Sequence, residues 1–162
     1  MTDRNDAIGP ILRRLRKGSP AGFAIALHVK FTAPRYLFQA YDSGWLETYN
    51  RDGLVIHDPT VRWAFENTGT VRWGDLAPDG AVNVFERAAR YGLAYGVTVA
   101  VDEGGSRSMA SFARPDRDLT DDEAAAALAD VTELHHLTRT AERLSPRTHE
   151  TLKQLSVFLT RG

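Results

Sequence analysis

A chain of 162 residues with 20 Lys+Arg against 21 Asp+Glu has a formal net charge of −1, so no basic surplus draws it to a polyanion and a body built to neutralise phosphates is disfavoured. Hydrophobic residues at 43% and charged residues at 25% fit one globular domain rather than a disordered or coiled-coil chain. The absence of cysteine excludes disulfides and thiolate metal sites.

Met1 to Lys17 mixes Asp3, Asp6 and arginines with short apolar runs, unlike the uninterrupted apolar core of a secretion signal. No stretch approaches the roughly 20 apolar residues that span a bilayer. A soluble cytoplasmic chain without membrane contact is the expectation. Ile8, Ile11, Leu12 and Leu15 recur at helical spacing and predict an amphipathic helix over residues 5 to 17, ended by Gly18-Ser19-Pro20. Gly22 to Phe31 reads as a largely buried strand and Tyr36 to Ala40 as a second, after a Thr32-Ala33-Pro34 turn. Ser43 is expected to cap a short helix carrying Trp45, Leu46 and Tyr49, with Gly53 ending it.

Asp58-Pro59 signals an N-cap followed by proline at the first helical position, opening a helix that runs to Asn67. Residues 69 to 73 look extended, and Asp79 is expected to start a helix through Phe85, Ala88 and Ala89 that closes at Tyr91-Gly92-Leu93. Val97 to Val101 and Ser108 to Arg114 read as antiparallel partners joined by the loop at residues 102 to 106. Thr120 to Glu123 fits a capping box for the longest helix, drawn to about Arg143. Ser145-Pro146 repeats the cap-plus-proline signal for a final helix with apolar positions at Leu152, Leu155 and Leu159. Helices before, between and after about five strands predict an α+β fold with an antiparallel sheet packed by helices.

No nucleophile elbow, metalloprotease helix or phosphate loop is present, so no catalytic residue is assigned. His135 and His136 are adjacent on a predicted helix and diverge by about 100°, which argues against a shared metal ion. The aromatics concentrate between residues 36 and 95, where all three tryptophans lie. By composition this region is either an ordinary aromatic core or the wall of a pocket whose tyrosine hydroxyls, indole N–H and carboxylate orient a polar ligand head.

Trp45-x-x-x-Tyr49, Asp58-Pro59 nine residues on, Trp73, and Phe85-Glu86-x-Ala88-x-x-Tyr91-Gly92-Leu93-x-Tyr95-Gly96-Val97-Thr98 occur in that order. The set resembles the autoinducer-binding domain of LuxR-type quorum-sensing transcriptional regulators across most of residues 20 to 143. The resemblance implies an α-β-α sandwich, with a five-stranded antiparallel sheet between helical layers and an N-acyl-homoserine lactone enclosed against the sheet. It implies no cofactor and no catalysis. By position, Trp45 looks like the indole that donates to the lactone carbonyl, and Asp58 like the acceptor of the ligand amide N–H. By local signal alone Asp58 is a helix N-cap, and its two oxygens allow both roles. Tyr41 and Ser111 match positions that bond the acyl carbonyl. Tyr49, Trp73, Phe85, Ala88 and Leu93 match positions that wall the ligand, and Thr60 a polar position lining it. Leu46 stands where some members carry an arginine near the lactone, so that water-mediated contact is absent.

Leu144-Ser145-Pro146-Arg147-x-x-Glu150-x-Leu152 resembles the start of that family's helix-turn-helix domain, which divides the chain into a ligand-binding domain over 1–143 and a terminal helix over 144–162. Eighteen residues from Ser145 onward do not supply a helix for the major groove, so specific DNA binding by this chain is not expected. A chain cut at a domain junction, a naturally truncated homologue and a chance similarity remain open. The partners implied are a small-molecule signal and either a second copy or a full-length regulator that the chain inhibits by heterodimerising. A PAS- or GAF-like sensor of another molecule is the alternative.

Overall fold

The computed structural model describes residues 4–160 apart from 32, 81, 141 and 142. In chain order its elements are α1 (Ile8–Gly18), β1 (Gly22–Lys30), β2 (Ala33–Gln39), α2 (Ser43–Arg51), α3 (Pro59–Glu66), β3 (Gly69–Arg72) and α4 (Val84–Ala89), then β4 (Tyr95–Glu103), β5 (Ser106–Arg114), α5 (Asp121–Leu137), α6 (Pro146–Gln154) and β6 (Phe158–Thr160). The strands form one antiparallel sheet in the order β3-β4-β5-β1-β2-β6. One face packs on α1, α5 and α6 through a continuous core that includes Ile8, Leu12, Phe23, Ile25, Phe112 and Leu134. On the other, Trp45 of α2, Val84 of α4 and Ala64 of α3 pack in two smaller clusters. The α-β-α sandwich is the expected one.

The local rules act as written in several places. Gly104 and Gly105, with φ of 64° and 74°, make the two-residue turn between β4 and β5, a geometry that side chains with a Cβ resist. Thr120 and Glu123 form the full capping box of α5. The Glu123 carboxyl is held down at about 2, first by the Arg117 guanidinium and then by the Thr120 amide.

Five expectations change. The sheet has six strands among the described residues rather than five. Ser156, at φ 55°, turns the chain after α6 and places Leu159 opposite Phe38 in β6 rather than on the final helix. Asp42, not Ser43, caps α2, its carboxylate accepting from the Gly44 and Trp45 amides. Asn83, not Asp79, caps α4 by accepting from the Glu86 amide, while Asp79 bridges Val82 and meets His57. The long helix ends at Leu137 rather than near Arg143, where the Thr138 hydroxyl and amide both bond the Leu134 carbonyl.

A bulge interrupts β1. Ala26 pairs with Met109 but Val29 with Arg107, one residue longer on β1 than on β5. His28 takes φ 55° there, a conformation rare outside glycine. Its ring turns to the α5 face and sits 4.4 Å from the His135 ring. The His28 Nε2–H donates to the His135 carbonyl, and Nδ1 accepts from the Ser106 hydroxyl at 2.7 Å. The His135 Nε2–H donates to the Glu103 carbonyl, and its Nδ1 accepts from Ser108 at 2.7 Å. Both tautomers follow because a carbonyl only accepts. Burial first, then the neighbouring His135, pushes His28 down to about 4.

Candidate functional site

Strand neighbours face opposite ways, so the sequence of β1 sorts itself by size. Phe23, Ile25 and Leu27 enter the α1–α5 core, while Ala24 and Ala26 face α2–α4. The register aligns Gln39, Ala24, Ser111 and Thr98 in one row on this second face, and Leu37, Ala26, Met109 and Ala100 in the next. Methyl and hydroxyl groups reach less far than the rings and branched chains on the core face. A cavity of about 430 Å³ separates this floor from the α2–α4 layer, within the range of about 300–1,000 Å³ common for small-molecule sites.

One end of the cavity is polar. Pro59 at the first helical position fixes the start of α3, and Asp58 before it caps the helix, its Oδ1 accepting from the Thr60 amide at 2.9 Å and the Thr60 hydroxyl at 2.7 Å. Tyr49, from the last turn of α2, donates its hydroxyl to Asp58 Oδ2 at 2.8 Å. A carboxylate offers about four acceptor sites. Three are used here, and the fourth is on Oδ2. One turn before Tyr49, the Trp45 ring meets it edge-on at 5.6 Å and lies equally far from Tyr91. Among the described residues no acceptor engages the Trp45 indole N–H. Tyr41 donates to the Ser111 carbonyl at 3.2 Å. Burial, and then the Asp58 charge, push both Tyr41 and Tyr49 phenols far above their ordinary range, so each remains a protonated donor.

A second polar line crosses the floor. The Trp73 indole N–H donates to Thr98 Oγ1 at 3.1 Å, and Thr98 shares a hydrogen bond of 2.7 Å with the Ser111 hydroxyl. With the indole supplying one proton, the Thr98 hydrogen is free to go to Ser111 and the Ser111 hydrogen to point into the cavity. The Trp73 ring lies flat on Gly96, where any Cβ would stand 2.3 Å from the indole Cε2. Phe85 closes on the same indole at 5.7 Å, and Ala88 and Leu93 complete this wall.

All ten candidate residues therefore border one cavity: Tyr41, Trp45, Tyr49, Asp58, Thr60, Trp73, Phe85, Ala88, Leu93 and Ser111. Leu46 borders it too. The residues missed are those of the floor and far wall, among them Ala24, Ala26, Thr98, Met109 and Ala64. The signal was present in the large-small alternation of Phe23-Ala24-Ile25-Ala26-Leu27, which marks one face as filled and the other as spacious. Among the described residues no group of three His, Cys, Asp or Glu side chains could hold a metal ion. No helix among them is long and apolar enough to cross a membrane.

Comparison with known proteins agrees with this architecture. The family described as autoinducer binding domain matches residues 20–143. The transcriptional activator protein SolR of Ralstonia nicotianae is 33% identical over 61 residues, a match that spans 38% of this chain and only 26% of SolR. In fold, the chain is similar to the N-acylhomoserine lactone dependent LuxR family transcription factor CepR2 of Burkholderia cenocepacia, at 18% identity and a TM-score of 0.54, covering 90% of this chain and 98% of that one. It is similar also to SdiA in complex with octanoyl-rac-glycerol, at 20% identity and a TM-score of 0.59, covering 96% of this chain and 71% of SdiA. With the family matched over three quarters of its length, this chain belongs to the autoinducer-binding domains of LuxR-type quorum-sensing regulators.

Proposed function

We propose that the cavity encloses an N-acyl-homoserine lactone and that the chain binds this signal without chemically altering it. The observation that carries the reading is the Asp58 carboxylate, which is fixed by three donors and keeps an acceptor site on Oδ2 at the polar end of an otherwise apolar cavity. An amide N–H buried there needs an acceptor, and a charged one forms the stronger bond. The Trp45 indole N–H is the donor for the lactone carbonyl at the same end. The Ser111 hydroxyl, oriented through Thr98 by Trp73, is the donor for the acyl carbonyl, with Tyr41 beside it. Tyr49 and Thr60 hold Asp58, while Phe85, Ala88 and Leu93 wall the ring. The alanines of β1 leave room for the tail. CepR2, described as lactone-dependent, and SdiA, holding an acylglycerol, support a ligand of this kind in this fold.

The test is mass spectrometry of an organic extract of the protein purified from cells fed a mixture of acyl-homoserine lactones. Recovery of one lactone at about one per chain is expected. Folded protein that retains none, and whose melting temperature no lactone raises, overturns the reading.

A further inference from the structure

The cavity has a direction. Its polar end lies at Asp58 and Thr60, where α3 begins, and its far end lies where α3 stops. There Arg107 donates to the carbonyls of Ala64 and Asn67, at 2.8 and 2.7 Å, and pins the helix terminus over β5. Arg107 is itself paired with Val29, the first residue beyond the β1 bulge. The left-handed backbone of His28 sends its ring to the α5 face and exchanges the faces of the strand. Val29 rather than a polar side chain therefore closes the cavity, together with Pro34 opposite it on β2. Between the two ends the floor is Ala24 and Ala26, and the roof is Ala64.

We propose, resting on the lactone reading above, that the Val29–Pro34 pair beyond the bulge is the stop for the acyl chain and that the channel over Ala24 and Ala26 and under Ala64 takes straight tails of about ten to twelve carbons. Two independent lengths give that figure. The eight residues of α3 rise about 12 Å at 1.5 Å each. The same span on β5, whose partner β1 carries the bulge, runs four steps from Ser111 opposite Ala24 to Arg107 opposite Val29, about 13 Å at 3.3 Å each. An extended chain advances about 1.2 Å per bond, as a polypeptide does over its three backbone bonds per residue.

The experiment titrates the purified chain, and its Val29→Ala, Ala64→Leu and Ala26→Leu variants, with straight-chain acyl-homoserine lactones of four to sixteen carbons. A parallel series of monoacylglycerols has the same tails. Circular dichroism melts establish that each variant is folded, and two channel-narrowing variants are used so that failure of one to fold does not end the test. The expected result is an affinity maximum between ten and twelve carbons, at least ten-fold above the four-carbon lactone. Val29→Ala should move the maximum to longer tails. Either narrowing variant should move it shorter, losing at least ten-fold for the twelve-carbon tail with little loss for the four-carbon one. A flat length profile, a maximum at eight carbons or fewer or at fourteen or more, or a maximum that the variants leave in place overturns the proposal. A length maximum with the acylglycerols and no binding of any lactone supports the channel and removes the lactone reading; no binding in either series removes both.

Discussion

The two faces of the sheet are made from the same strands and behave as different materials. On the α1–α5 face Phe23, Ile25, Leu27, Val97, Val99 and Phe112 are each at most 1% exposed and fill the space between layers. On the α2–α4 face the alternate residues of those strands are Ala24, Ala26, Gly96, Thr98, Ala100, Met109, Ser111 and Ala113, all but Met109 small, and the space is left to a cavity. The first face carries stability through close packing. The second, on the proposed function, carries recognition through a few fixed polar groups over small side chains. One alternation along each strand writes both.

The largest expected effect tests the filled face. Phe112→Ala removes a fully buried ring and should cost about 3–5 kcal/mol in chemical denaturation, whereas a comparable loss from trimming the cavity face at Ser111→Ala would erase the contrast. Acidification comes next and acts on the same filled face. The unfolded chain takes up the His28 proton as pH falls through about 6.5, but the folded chain only through about 4. Stability is therefore full above pH 6.5 and is lost between 6.5 and 4, by about 3 kcal/mol if His28 acts alone. Denaturant midpoints measured at steps across this window should fall in wild type and fall less in His28→Asn, whose side chain does not titrate and tolerates the positive φ.

Binding predictions follow on the cavity face. Asp58→Asn keeps an N-cap for α3 but loses the charged acceptor, so lactone affinity should drop by about 1.5–3 kcal/mol in calorimetric titration while the fold persists. Trp45→Phe removes one donor and keeps most of the wall, for about 0.5–1.5 kcal/mol by the same titration. Unchanged affinity in both variants would contradict the placement of the ligand head.

Much of this was legible in the sequence because local rules met no competition. Asp58-Pro59, the Thr120 capping box and the Gly104-Gly105 turn each act within four residues, and the structure keeps all three. The family resemblance carried by Trp45, Tyr49, Asp58 and Trp73 pointed to residues that the structure brings to one cavity. The α2 and α4 caps were misplaced because nearby candidates, Asp42 one residue before Ser43 and Asn83 four residues after Asp79, carry similar capping side chains and only the chain path decides between them. Leu159 fits a helical stripe, yet Ser156 turns the chain and the open edge of β2 takes the strand. The floor of the cavity was not read because the large-small alternation of β1 marks a spacious face without saying which strands share it. Only the register, which places Ala24 beside Ser111 and Ala26 beside Met109, makes those residues one surface.

The central claim is that the cavity face is completed by an acyl-homoserine lactone held at Asp58. It is tested most directly by thermal unfolding of wild type and Asp58→Asn over rising concentrations of the twelve-carbon lactone. Ligand that binds only the folded state should stabilise wild type by about 2.7 kcal/mol at a hundred times its dissociation constant, with the variant needing about ten- to a hundred-fold more ligand for the same shift. A folded wild type whose melting temperature is the same at every lactone concentration would contradict the account.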